Sequence, residues 1–175
     1  TAAHNDVALL EAAKAAVAAA PQGLIVIGTP KYMADAVSQL RKAGANQATF
    51  ALSYLPTPLA VKIIGQAGAR GLGITQTFPN PNSQNLPLQR EFQEAMRKSS
   101  PDLKSYSQFH LEGYIAARVL VAALRRIDGN PTPAGVARAL HEMGEFDLGG
   151  FRVNYAKGNI GSNWTDIGVV SPAGK

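Results

Sequence analysis

The sequence predicts an α/β fold in which helices cover a parallel β-sheet. Three short apolar runs, Leu24–Ile27, Ala48–Leu52 and Gly71–Phe78, alternate with helical patterns in the first part of the chain. The resulting order is β-α-β-α-β, which is typical of parallel strands joined by helical crossovers. Hydrophobic residues make up 46% of the 175 residues, which is enough to bury a core.

The elements of this first part follow in order. An alanine-rich helix begins at Asn5 or Asp6, either of which can cap it, and ends before Pro21. The run 24–27 holds four successive apolar residues, so we expect a strand that is buried on both faces. Two more helices follow the first two strands, over about Tyr32–Lys42 and Thr57–Gln66. Because the array begins on a helix, we expect a strand from elsewhere, or from upstream in the natural protein, to complete it.

A change of pattern follows the third strand. The segment Pro79–Asn85 is rich in proline and asparagine and is therefore the best internal boundary of the chain. Beyond it we predict three helices and three strands: Pro87–Lys98, Phe109–Ile127 and Thr132–Met143, then Glu145–Leu148, Phe151–Tyr155 and Asp166–Val170. The strands on either side of Gly149–Gly150 read as a hairpin.

Composition argues against several classes of function. The net charge is +5, but the basic residues occur singly or in pairs and no aromatic residues interleave with them, so no nucleic-acid partner is predicted. The chain has no cysteine and only three histidines, far apart in sequence, so we predict no metal and no cofactor. No catalytic constellation is evident: Ser53 lacks the flanking glycines of a nucleophile elbow, and Gly68–Gly73 lies before a strand instead of after one.

The ends of the predicted strands offer a candidate binding site instead. Ligands of open parallel sheets bind beyond the carboxyl ends of the strands. Those ends lead here into Gly28–Lys31, Ser53–Tyr54 and Gln76–Phe78, which we expect to lie side by side. The candidate ligand-binding residues are Thr29, Pro30, Lys31, Ser53, Tyr54, Gln76 and Phe78. Hydroxyls, an amide, a cation and aromatic rings of this kind suit a small molecule.

Five segments, in the same order along the chain, resemble the type I periplasmic solute-binding proteins of the leucine/isoleucine/valine-binding family. They are LIVIGTPKYMADAVSQLRKAG from Leu24, residues 50–56, GLGITQTFPNP from Gly71, FHLEGYIAARVLVAALRRI from Phe109, and FDLGGFRVNY from Phe146 with DIGVV from Asp166. The helix that begins at Phe109 is the most specific of these matches. The resemblance covers nearly the whole chain.

The resemblance implies a three-layer α/β lobe of the type I periplasmic binding protein fold plus part of a second lobe, with this chain as the carboxyl-terminal half. It assigns residues 1–78 and 165–175 to the second lobe, and residues 79–164 to the crossing segment and the returning part of the first lobe. It further implies a periplasmic binding protein without enzymatic activity. Such a protein captures a small amino acid or related carboxylate and delivers it to an inner-membrane ABC permease.

One position departs from the family pattern. Amino-acid binders of the family place a carboxylate near the position of Tyr54 to meet the ligand's ammonium group, whereas this chain has a phenol beside Ser53 and a cation at Lys31. A carboxylate ligand without an amine therefore fits at least as well. A cytoplasmic ligand sensor of the same fold and a small α/β enzyme remain open alternatives.

The pattern of apolar residues also predicts whether the chain can form a complete fold on its own. Leu111, Ile115 and Val119 form an apolar helix face that needs a sheet to cover it, and we expect that face to be open in the isolated chain. We therefore expect a fragment, or a homo-oligomer or strand-exchanged pair that completes the sheet.

Overall fold

The computed structural model describes residues 3–174. In chain order its elements are α1 (Asp6–Ala18), β1 (Gly23–Val26), α2 (Pro30–Lys42), β2 (Ala48–Ala51), α3 (Thr57–Ile64), α4 (Gln66–Ala69), β3 (Gly73–Gln76), α5 (Pro87–Ser99), α6 (Gln108–Leu124), α7 (Pro133–Glu142), β4 (Glu145–Asp147), β5 (Arg152–Asn154) and β6 (Asp166–Val169). The chain divides into two compact units. Unit 1 holds the residues up to Gln76 and those from Asp166 onward, and unit 2 is Thr77–Thr165.

Unit 1 is built on a four-stranded sheet in the order β1-β2-β3-β6. The strands β1, β2 and β3 are parallel, and β6 runs antiparallel to β3. This mixed, mostly parallel sheet with helices confirms the predicted α/β class. The predicted parallel arrangement holds for the three successive strands, while the returning strand reverses direction.

Local sequence signals account for most helix bounds in unit 1. The side chain of Asn5 accepts a hydrogen bond from the N–H of Ala8 at 2.9 Å and so caps α1. Helix α2 begins at Pro30, two residues before the predicted start, because proline is well suited to the first helical position. The single helix predicted over 57–66 is interrupted at Gly65, whose φ of +79° ends α3 before the short α4 begins.

The core of unit 1 lies on one face of its sheet. Val26, Ala51 and Ile74 are buried there, together with Met33 and Val37 of α2. The expectation that the first strand is buried on both faces is wrong, since Ile25 is 72% exposed and Ile27 is 67% exposed. The described helices cover only the face that Val26 shares, and they leave the other face bare.

Unit 2 packs three helices around a two-stranded hairpin. Helix α6 buries Leu111, Ile115 and Val119 against residues of α5 and of the hairpin, among them Phe92 and Phe151. The expectation that this helix face would be open is therefore wrong, because neighbours within unit 2 cover it. No helix in residues 3–174 is long and apolar enough to cross a membrane.

The hairpin of unit 2 turns on two glycines, as predicted. Gly149 and Gly150 have φ values of +99° and +91°, which favour glycine. Both of their N–H groups donate to Oδ1 of Asp147, at 2.8 and 2.7 Å. These hydrogen bonds fix the turn between β4 and β5.

Candidate ligand-binding site

The carboxyl ends of three neighbouring parallel strands meet at one edge of the unit 1 sheet. The register pairs Val26 with Ala51 and Ala51 with Ile74. The loops that follow β1, β2 and β3 therefore leave the sheet at the same edge. We call this edge, with residues 28–31, 53–54 and 76, the rim. Six of the seven predicted site residues lie on the rim, and their contact with a ligand stays a prediction.

The first rim loop leads into α2. Thr29 occupies the N-cap position and Pro30 is the first residue of the helix. Lys31 donates from Nζ to Oδ2 of Asp35 at 2.6 Å, one helical turn further on. Nε2 of His4 lies 2.8 Å from the same carboxylate oxygen. The Lys31 cation is thus already paired, although its side chain is exposed.

The carboxyl group of Asp35 is held in its ionised form. Its side chain is only 14% exposed, and burial by itself would favour the neutral acid. The hydrogen bonds from His4 and Lys31, with their charges, outweigh that effect and lower the pKa of Asp35. This ion pair orients Lys31 at the start of α2.

The second rim loop is tied to the third strand. The N–H of Ser53 donates to Oγ1 of Thr75 on β3 at 3.1 Å. Tyr54 is exposed, and Leu55, directly after it, is buried in the core of unit 1. The loop is therefore anchored on both sides of Tyr54, which presents its ring to solvent.

The third predicted segment is divided between the two units. Gln76 ends β3, and its Nε2 donates to the carbonyl oxygen of Ile74 at 3.3 Å. Phe78 belongs to unit 2, where its ring centroid lies 5.7 Å from that of Phe151. Its role in ligand binding stays a prediction.

Sequence reasoning missed a carboxylate at the rim. Asp166 is the first residue of β6 and pairs with Gln76, the last residue of β3. Its carboxyl group therefore lies at the edge where the parallel strands end, and it is exposed. The antiparallel direction of β6 causes this juxtaposition, and no local sequence signal reports it. The pairing of Lys31 with Asp35 could have been read from their spacing of four residues on a helix.

A separate cavity lies within unit 2. Its volume is about 620 Å³, and its lining includes Phe78, Ile115, Val119, Phe151 and Trp164. Most of its lining residues are aliphatic or aromatic, and the polar ones, among them Glu112, Ser162 and Asn163, include no cation that could meet a carboxylate. In residues 3–174 no cluster of three or more histidine and acidic side chains is placed to hold a metal ion. The rim, which carries the exposed cation Lys31, is therefore the better candidate site for a solute with a carboxylate.

An open α/β sheet whose strand ends lead into polar loops defines a class of proteins that bind small molecules beyond the carboxyl ends of their strands. The chain belongs to the periplasmic binding protein family, whose pattern matches residues 4–170. This is a family of solute-binding proteins rather than enzymes. No curated protein matches the chain.

Solved structures from three bacteria are similar to the chain. An extracellular ligand-binding receptor from Verminephrobacter eiseniae is 42% identical, with a TM-score of 0.93, over 99% of this chain and 49% of that one. A substrate-binding periplasmic protein from Ralstonia solanacearum is 31% identical over 93% and 47%, with a TM-score of 0.82. A protein described as a possible leucine/isoleucine/valine-binding protein from Rhodopirellula baltica is 30% identical over 87% and 41%, with a TM-score of 0.78. The chain thus spans about half the length of these proteins.

Proposed function

We propose that this chain is part of the extracytoplasmic solute-binding component of an ABC-type uptake system, and that its rim contacts a small amino acid or related carboxylate. Family membership supports solute binding in general. The observation that carries the proposal is the meeting of three polar loops at the carboxyl edge of β1, β2 and β3. In this role the chain holds one side of the solute, the remainder of the protein closes over it, and an inner-membrane permease receives it.

The donors on the rim suit a carboxylate. The hydroxyls of Thr29, Ser53 and Tyr54 can each donate to a carboxylate oxygen, and the Lys31 ammonium adds a positive charge. Lys31 remains exposed while it contacts Asp35, so it can bind a second anion on its open side. These groups account for capture of the acid end of a solute.

The ammonium group of an amino acid needs an acceptor as well. Asp166 supplies a carboxylate at the same edge, opposite Gln76. Because both charged groups of an α-amino acid are attached to one carbon atom, an amino acid would pair its ammonium group with Asp166 and its carboxylate with the donors of the nearest loop, whereas a simple carboxylic acid uses only the donors. The name of the Rhodopirellula baltica relative is consistent with a branched-chain amino acid as the ligand.

Calorimetric titration and thermal-shift measurements on the natural gene product test the proposal. The probes are leucine, hexanoate and benzoate, and a ligand raises the melting temperature by mass action. We expect Ser53→Ala and Tyr54→Phe each to weaken binding about fivefold, because each removes one hydrogen bond worth about 1 kcal/mol. Ser105→Ala, at an exposed serine of unit 2, is the matched control and leaves affinity unchanged.

A second variant separates the two ligand classes. Asp166→Asn removes the charge opposite an ammonium group, so it weakens the binding of leucine but not of hexanoate if the ligand is an amino acid. Equal effects on both probes would exclude that role for Asp166. If none of the probes raises the melting temperature, or if the Ser53 and Tyr54 variants bind as tightly as the parent protein, the proposed function is wrong.

A further inference from the structure

One carboxylate at the start of α2 is shared by two basic side chains from different parts of the chain. Oδ2 of Asp35 accepts a hydrogen bond from Nζ of Lys31 at 2.6 Å, and Nε2 of His4 lies 2.8 Å from the same oxygen. Lys31 belongs to the rim, whereas His4 lies just before α1. The three side chains therefore tie the start of α1 to the start of α2 beside the first rim loop. We call them the shared-carboxylate cluster.

An aromatic contact also holds His4 in this cluster. Its ring meets that of Tyr32 edge-on, with the two centroids 5.4 Å apart. Tyr32 in turn packs against the first rim loop, because a Cβ at Gly28 would collide with its ring. The imidazole thus contacts α2 at two positions. Its side chain is still 41% exposed, so it can exchange protons with water.

Few other charged groups surround His4. Across residues 3–174 its only ion-pair partner is Asp35, and Lys31 is the second cation on that carboxylate. The phenol of Tyr32 is the other titratable group of α2 in contact with it. Asp6 adds a negative charge in the first turn of α1, and the neighbouring strand β1 has no ionisable side chain. The charge of the cluster therefore depends mainly on whether His4 is protonated.

Protonation of His4 changes the net charge of the cluster. Burial opposes the ionisation of Asp35, but the hydrogen bonds from His4 and Lys31 and their charges still lower its pKa, so the carboxylate stays ionised near neutral pH. A histidine side chain gains its proton between about pH 8 and pH 5. With a neutral imidazole the charges of Asp35 and Lys31 cancel, whereas an imidazolium leaves one positive charge in excess.

We propose that His4 is a positioning residue that acts on Lys31 through Asp35. Protonated His4 competes for the shared oxygen and repels the Lys31 ammonium, which loosens the ion pair and makes the rim more attractive to a carboxylate. Because Lys31 and His4 are exposed, the gain in affinity is modest, about threefold. The effect on a solute rests on the proposed function, whereas the competition within the cluster does not.

Titration calorimetry of the natural gene product with hexanoate tests the effect on binding. Hexanoate is ionised throughout the range used, so a change in affinity reports on the protein. We expect binding to be about threefold tighter at about pH 6 than at about pH 8. In His4→Gln the ratio of the two affinities should fall to about 1, because glutamine can donate to Asp35 but cannot gain a proton.

Two further variants sharpen the binding test. His4→Arg places a permanent cation beside Asp35, so its affinity ratio should also be about 1. His141→Gln, at an exposed histidine of unit 2, is the matched control and keeps the ratio of the parent protein. An affinity ratio in His4→Gln equal to that of the parent protein would overturn the inference, because the pH dependence would then come from another group.

A double-mutant cycle without ligand separates this inference from the proposed function. The cycle combines Lys31→Met with Asp35→Asn and measures their coupling in the free energy of unfolding by urea. We expect the coupling in the parent protein to be weaker at about pH 6 than at about pH 8, because protonated His4 competes with Lys31 only at the lower pH. In the His4→Gln background the coupling should be equal at both pH values, and in the His4→Arg background it should be weak at both.

The ligand-free cycle decides the inference whether or not a solute binds. A coupling between Lys31 and Asp35 that does not change with pH in the parent protein would overturn it, and so would a change of the same size in His4→Gln. If no probe binds but the coupling follows the charge of His4, the proposed function is wrong and the competition within the cluster stands.

Discussion

The backbone N–H of Ser53 donates a hydrogen bond to the side-chain oxygen Oγ1 of Thr75 at 3.1 Å. Ser53 lies in the loop after β2, and Thr75 lies within the neighbouring strand β3. The contact therefore fixes the start of the second rim loop against the sheet. Because Tyr54 directly follows Ser53, this hydrogen bond also restricts the position of Tyr54.

We predict that Thr75→Val loosens the second rim loop. Valine preserves the shape of threonine but removes the acceptor of the Ser53 N–H, at a cost of about 1 kcal/mol in the free energy of unfolding. Hydrogen exchange at the Ser53 amide should accelerate. Thr75→Ser keeps the hydroxyl and is the matched control. Unchanged Ser53 exchange in Thr75→Val would show that the bond does not hold the loop.

A pair of glycine substitutions should have opposite effects on stability. Gly149 has a φ of +99°, and a Cβ there would lie 2.8 Å from the backbone nitrogen of Leu88. Gly149→Ala should therefore destabilise the protein by about 1–3 kcal/mol. Gly113 is an exposed residue within α6 with open space around its Cβ position, so Gly113→Ala should stabilise it by about 0.5–1 kcal/mol. Urea unfolding measures both, and equal shifts would contradict the argument.

The order of the elements could be predicted from the sequence because its signals are local. Apolar runs, proline at helix starts and paired glycines in a turn each act within a few residues. The sequence pattern does not predict the break at Gly65, because a glycine within a helical pattern does not by itself indicate that its φ is positive. The exposure of Ile25 was missed for a different reason: four apolar residues in a row indicate a strand, but its burial depends on which segments pack on each face.

The candidate site could be predicted in part, for a similar reason. The rule on strand ends applies to successive βα units, so it brought Thr29, Ser53 and Gln76 to one edge from sequence alone. Asp166 could not be placed, because it joins the edge only when β6 returns antiparallel beside β3. The whole of unit 2 lies between β3 and β6 in the sequence, so their pairing depends on the tertiary fold and not on a local sequence signal.

The hairpin of unit 2 should show a defined sensitivity to acid. The N–H groups of Gly150 and Gly149 donate to Asp147 and hold the pKa of its carboxyl below the usual range of an aspartate. A lowered folded-state pKa stabilises the fold above the unfolded-state value, and this stabilisation is lost as the pH falls through the folded-state pKa. We therefore expect the stability advantage of the parent protein over Asp147→Asn to shrink as the pH falls below about 4. Asparagine keeps an acceptor oxygen but does not titrate in this range.

Urea unfolding at a series of pH values between about 2 and 6 measures this difference. Asp147→Ala, which removes the acceptor altogether, should be less stable than Asp147→Asn throughout that range. A stability difference between the parent protein and Asp147→Asn that does not change with pH would show that the carboxylate charge contributes nothing to the turn.

The last prediction contrasts two phenylalanines of unit 2. Phe92 is fully buried, and its ring meets those of Tyr106 and Tyr114 with centroids 5.1 and 5.5 Å away. Phe92→Ala removes these contacts and leaves a cavity, which should cost about 3–5 kcal/mol. Phe109→Ala, at a ring that is 45% exposed, should cost less than about 1 kcal/mol.

The fluorescence of Trp164 reports on this comparison, because it is the only tryptophan and its ring lies 6.2 Å from Phe151 in the same core. We expect the urea midpoint followed at Trp164 to fall steeply in Phe92→Ala and to change little in Phe109→Ala. Comparable midpoints in the two variants would mean that Phe92 does not support the core of unit 2, and that the burial of Leu111 and Ile115 rests on the hairpin side of the cluster instead.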